Sequence, residues 1–215
     1  MNELTLLLTL AAVHSVALLS PGPDFALVVQ HAARHGRRSG LCIALGLSLG
    51  ILLHTALSLT GVSYLIQQHE SVFAVVQLLG GGFLLYLGVT ALWASYQGWQ
   101  QVAVAETASV ALVHSPLQAV LKGLATNLLN PKALVFFVSL MSTLVPANVS
   151  LAVKGLATAL LFALSLGWFA LLAWWLSSSA MQQRLARASH YIDALCGGIF
   201  SVLGGGILLS RLAAI

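Results

Sequence analysis

The chain has 215 residues, 59% of them hydrophobic and only 7% charged, with a mean hydropathy of +0.97, whereas soluble domains carry charge on about 25% of their residues. That composition excludes an ordinary soluble domain. The net charge of +4 comes with no basic patch interleaved with exposed aromatics, so nucleic acid is not an expected partner.

A spanning helix needs about 20 residues, because a rise of 1.5 Å per residue must cover roughly 30 Å of hydrocarbon. Six apolar spans follow in chain order. The first, near 4–30, opens on Glu3 rather than a basic segment and outruns a signal peptide, so it is expected to be retained. It is interrupted by LLSPGPDF at 18–25. Spans near 39–64 and 72–95 come next. The connection 96–116 is polar and Ala-rich, which predicts a mobile loop or a surface helix. The fourth span, 117–145, is interrupted by LLNPKALVFF at 128–137, and spans near 151–176 and 192–213 complete the chain. The tryptophans cluster towards span ends, as interfacial anchors do. The whole of 1–215 therefore reads as one all-α integral membrane domain.

The two halves look alike. LLSP at 18–21 matches LLNP at 128–131, GLCIALGLSLG ending at Gly50 resembles GLATALLFALSLG ending at Gly167, and GGFLLYLG at 81–88 parallels GGIFSVLG at 197–204. Three successive spans thus recur in order, as a first repeat over 1–95 and a second over 117–215. Because each repeat has an odd number of spans, the second must enter the membrane inverted. The expected architecture is six transmembrane helices in two inverted three-helix repeats, with spans 1 and 4 broken at prolines, a plan used by many secondary transporters. Arg34, Arg37, Arg38, Lys122, Arg184 and Arg187 fall on one side, against Lys154 and Arg211 on the other. Basic residues are held in the cytoplasm, so both termini are expected outside it, and the basic side is expected to meet anionic lipid.

Proline has no N–H and clashes with the preceding helical turn, so each break frees peptide groups inside the membrane. Past each proline a fresh helix starts, and the amides around Gly22 to Phe25 and Lys132 to Leu134 would carry the positive end of a helix dipole. A carboxylate suits such a site, and Gly22 allows it close to the backbone. An amino acid would also need an acceptor for its ammonium. Asp24 is the acidic side chain deepest in a span, Asp193 standing at a span edge, and a charge at that depth costs roughly 2.5–3.5 kcal/mol. Lys132 stands in the same region of the second repeat. Two readings remain open: Asp24 caps its half-helix and pairs with Lys132, or the pair opens for a zwitterion or a proton. Ser20, Asn127 and Asn130 add polar groups at the breaks and would serve equally as caps. His54, within span 2, is a second proton candidate beside Asp24, with hydrogen-bonded packing as its plainer role.

No phosphate-binding G-x-x-x-x-G-K-[ST] loop is present, so transport is expected to be secondary and no cofactor is called for. Seven histidines are scattered; only His31 and His35 stand at i, i+4, and neither Cys nor acid completes a site, so no metal is expected. Cys42 and Cys196 form no C-x-x-C. Gly46 and Gly50, at G-x-x-x-G spacing, predict close helix contact, and Gly80–Gly82 with Gly204–Gly206 predict similar contacts that could join two protomers as a homodimer.

SPGPDFALVV, KGLATNLLNPKALVFF and IDALCGGIFSVLGGGILLSR together resemble the LysE/RhtB family of amino-acid exporters, with wording nearest its threonine and homoserine branch, over Val13 to Arg211. The resemblance implies a carrier, not an enzyme: a bacterial inner-membrane protein exporting a small, mostly neutral amino acid in exchange for protons. The family pattern falls on Ser20, Pro21, Gly22, Pro23 and Asp24, and on Asn127, Asn130, Pro131 and Lys132. Many relatives carry a polar or acidic residue near Ile51, where this chain has Ile51 followed by His54, so the substrate does not transfer with the pattern. An exporter of another small solute or cation, or a membrane scaffold that transports nothing, are the competing readings.

Overall fold

The computed structural model describes residues 2–20, 22–68, 70–98, 115–146, 149–175 and 179–212, and all regular structure among them is helical. The helices are α1 (Glu3–Leu19), α2 (Pro23–Gln68), α3 (Glu70–Gly98), α4 (Pro116–Leu128), α5 (Pro131–Leu144), α6 (Leu151–Trp175) and α7 (Ser179–Leu212). Most of the 96–116 connection lies outside the described residues.

Among the described residues, four stretches are long and apolar enough to cross a membrane singly: His35–Gly61, Ala74–Gln97, Leu151–Trp175 and His190–Ser210. Two bent pairs meet the same test jointly. Glu3–Leu19 meets Pro23–Ala33 at 58°, and Pro116–Leu128 meets Lys132–Leu144 at 59°. With each pair taken as one broken span the count reaches six, and the chain is a multi-pass membrane protein.

The breaks have local causes. α1 ends at Ser20, whose extended backbone (φ −63°, ψ 121°) carries the chain out of the helix. α2 restarts with Pro23 in its first turn, where the missing N–H costs nothing, and the Ala26 amide donates to the Gly22 carbonyl at 2.9 Å. α4 ends when the Asn130 amide turns back to the Asn127 carbonyl at 3.1 Å, and α5 starts on Pro131 with Asn130 as its cap. A second corner lies inside α2 at Gly36, whose φ of 78° a side chain would resist. Just beyond it, the Arg37 guanidinium lies 4.6 Å over the Trp174 ring, so the turn after the first span and the end of α6 share one side of the protein.

Small residues let the helices meet at backbone distance, as membrane interfaces without a hydrophobic driving force require. α3 runs along α7, and α2 packs on α4 and α6. At the α3–α7 contact, a Cβ added to Gly88 would stand 2.8 Å from the Gly197 carbonyl, and one added to Gly197 would stand 2.8 Å from that of Gly88. Gly80, Gly81 and Gly204 also face neighbours within the chain, whereas Gly82, Gly205 and Gly206 face open space. Gly88→Val should therefore cut the yield of monodisperse protein in size-exclusion chromatography, since neither backbone can yield to it. Gly82→Val should leave that yield unchanged, and equal yields from the two would contradict this packing.

Candidate functional site

The α1–α2 break and the α4–α5 break face one another. The Asp24 carboxylate accepts from Asn127 Nδ2 at 2.6 Å through Oδ2 and from Asn130 Nδ2 at 3.3 Å through Oδ1. The Lys132 ammonium donates to Ser20 Oγ at 2.9 Å. Each of these bonds joins one break to the other across more than a hundred residues of sequence. Asp24 is thus held by two neutral amides, with Lys132 within electrostatic reach but engaged on Ser20. Carboxylate and ammonium thus each hold uncharged partners where the two breaks meet, with the opposite charge within electrostatic reach.

The amides behave differently at the two breaks. In α5 the Lys132 N–H is taken by Asn130 Oδ1 at 3.0 Å and the Leu134 N–H by the Asn130 carbonyl at 3.1 Å, so this half-helix is largely capped from within. In α2 the Asp24 and Phe25 amides have no intrahelical acceptor, being in the first turn. Gly22 lies beside them, where an added Cβ would sit 3.6 Å from Lys132 Nζ. Pro23 opens α2, Pro131 opens α5, and Pro21 lies outside the described residues.

Asn127 is the pivot. It is fully buried, sends its amide nitrogen to Asp24, and its carbonyl lies 3.2 Å from His54 Nε2. A carbonyl only accepts, so that His54 nitrogen carries the hydrogen. His54 is buried and stacks on Phe137 with ring centroids 6.0 Å apart. It stands behind Asn127 rather than in the cavity wall.

These groups open onto a cavity of about 70 Å³. Ser20, Gly22, Asp24, Asn127, Asn130 and Lys132 form its polar wall, and Ile51, Phe136, Phe137, Phe169 and Phe200 its apolar one. His14, on α1, is a further member of the site that its sequence context does not reveal. It lines the same cavity and is 2% exposed. Ala17 and Leu18, one turn on along the same helix face, line the cavity too. Of the other histidines considered, His31 and His35 stack on each other at 5.0 Å. Among the described residues no three His, Cys, Asp or Glu side chains converge.

A polar cavity built between two broken helices, inside a bundle of membrane-crossing helices, is the form of a solute carrier. The chain belongs to the LysE type translocator family, whose model matches residues 15–211. It is 33% identical over 208 residues to a threonine efflux protein of Salmonella typhi, covering 97% of this chain and 100% of that protein. It is 32% identical, with the same coverage, to a threonine efflux protein of Escherichia coli K12. An uncharacterized membrane protein of Haemophilus influenzae is 31% identical, covering 93% of this chain and 94% of that one. No solved structure matches the chain.

Proposed function

We propose that this protein is a secondary exporter of a small neutral amino acid of the threonine or homoserine type, working by exchange with protons across a bacterial inner membrane. The observation that carries the reading is the meeting of Asp24 and Lys132, from opposite breaks, in one cavity. A zwitterion needs one acceptor of charge and one donor of charge a few ångströms apart, and the apolar wall beside them strengthens both interactions by lowering the local dielectric. In this reading Asp24 takes the ammonium, or a proton when no cargo is bound. Lys132 and the first-turn amides of α2 take the carboxylate, with Gly22 leaving room for it. Asn127 and Asn130 hold Asp24 in place, Ser20 holds Lys132, and His54 steadies Asn127 or shares the proton.

The domain 1–215 is read as two inverted repeats, 1–95 and 117–215, that rock about this site, with both termini outside the cytoplasm. The near-equal bends of 58° and 59° at corresponding breaks support the repeat. The relatives' threonine efflux supports the cargo. The test is efflux from cells loaded in turn with threonine, homoserine and lysine, with and without the protein. Faster loss of threonine or homoserine is expected, and equal retention of all three would reject the reading.

Ser20→Ala removes one hydrogen bond from Lys132 and leaves the charge. It is expected to weaken threonine affinity about 2- to 10-fold, the span of a typical net hydrogen bond, as measured by concentration dependence of exchange in proteoliposomes. An unchanged affinity would take Ser20 out of the site.

A further inference from the structure

His14 sits in the cavity wall, and the scheme above gives it no task. Its Nε2 lies 2.8 Å from Ser165 Oγ on α6. Ser165 donates its own hydroxyl hydrogen to the Leu161 carbonyl at 2.7 Å, and a serine has one such hydrogen. The ring must therefore supply the hydrogen between them. With Nε2 protonated, the neutral imidazole leaves Nδ1 as a bare acceptor. That Nδ1 is buried and has no hydrogen-bond partner among the described residues. Phe136 and Phe137 flank the ring, at 6.4 and 5.6 Å between centroids, and bring no polar donor. A buried acceptor left without a donor is costly, and few native ones persist without a use. His14 lines the cargo cavity, and a hydroxyl of the cargo is a donor of the kind its ring lacks.

We propose that His14 Nδ1 accepts a hydrogen bond from the side-chain hydroxyl of the exported amino acid, and that Ser165 is the positioning residue that fixes the ring's tautomer. The inference rests on the amino-acid reading above and adds side-chain selection to it. Asp24 and Lys132 engage the two charged ends common to all amino acids, and His14 sorts the side chains between them. A site that hydrogen-bonds a substrate hydroxyl rejects the methyl analogue far better than an apolar pocket can, because the analogue leaves the buried acceptor unpaired.

Threonine and valine have the same shape, with a hydroxyl in one where the other has a methyl. The experiment measures, for each protein in proteoliposomes, the concentrations of unlabelled threonine, valine and alanine that half-inhibit exchange of labelled threonine. His14→Gln retains a donor where Nε2 meets Ser165 but has nothing where Nδ1 stands, while His14→Asn sets an amide oxygen near the Nδ1 position. The wild type should prefer threonine to valine, His14→Gln should lose about ten-fold of that preference, and His14→Asn should keep most of it. An unchanged preference in His14→Gln overturns the proposal. So does a loss in which threonine, valine and alanine weaken by the same factor in both variants, the result of a ring that only packs. If the wild type exchanges no amino acid at all, the exporter reading itself fails and this inference falls with it.

Discussion

Asp24→Asn should leave the protein in the membrane and remove its transport. The substitution keeps the size of the side chain and an oxygen for the Asn127 amide, whose bond to Asp24 measures 2.6 Å. It also relieves the membrane of a carboxylate that costs roughly 2.5–3.5 kcal/mol to hold there. Insertion and folded yield are therefore expected to equal or exceed those of the wild type. The cargo's ammonium, however, loses its charged acceptor. A hydrogen bond to a charged group is worth about 1.5–3 kcal/mol, so threonine exchange should fall by about 10- to 150-fold through binding alone. Any proton carried by Asp24 is lost as well, since an amide does not titrate, so a pH gradient should no longer drive uphill efflux. Exchange in proteoliposomes, normalised to folded protein, measures both effects. Wild-type exchange rates in this variant would remove Asp24 from the mechanism.

Gly50→Ala should do nearly as much damage with a single methyl group. An added Cβ would stand 2.5 Å from Asn127 Oδ1 and 2.8 Å from Asn127 Cβ, both well inside contact distance. Asn127 has little room to move, being fully buried, with its side chain donating to Asp24 and its backbone carbonyl accepting from His54. Overpacking of this kind costs typically about 1–3 kcal/mol. Here the yielding group is the amide that holds the Asp24 carboxylate, so the cost should appear as lost transport of about 10-fold or more, by the same arithmetic. A double-mutant cycle distinguishes this from general destabilisation. If Gly50→Ala acts through the Asn127 side chain, adding Asn127→Ala to it should cause little further loss, whereas independent sites would multiply their effects.

Much of this arrangement was legible in the sequence because membranes restrict the options. Backbone that crosses the bilayer facing lipid must satisfy its own hydrogen bonds, so a run of about 20 apolar residues already defines a helix. A proline within such a run, with Ser20 or Asn130 beside it, already defines a break. The bent pairs fall where LLSPGPDF and LLNPKALVFF placed them. What pattern alone could not supply was partner choice. Charge pointed to Asp24 and Lys132 together, whereas the neutral partners around them, two asparagines for Asp24 and Ser20 for Lys132, come from hydrogen-bond geometry. Asn127 was recognisable as a polar residue near a break, whereas its dependence on the bare backbone at Gly50 rests on the packing of α2 against α4. His14 and Ser165, 151 residues apart, each read as an isolated polar residue in an apolar helix. Nothing local distinguishes a packed histidine from one that lines a cavity. The α3–α7 glycines were legible as sites of close contact, but not as contacts made within the chain.

Chemical removal of each end of the cargo, one at a time, gives the most direct test of a cavity that grips both ends of a zwitterion. Threonine, its methyl ester, which lacks the anionic end, and 3-hydroxybutyrate, which lacks the amine, would each compete against labelled threonine exchange in proteoliposomes. Unmodified threonine should inhibit and neither analogue should do so at comparable concentration. Inhibition by either analogue as strong as by threonine would contradict the joint roles assigned to Asp24 and Lys132.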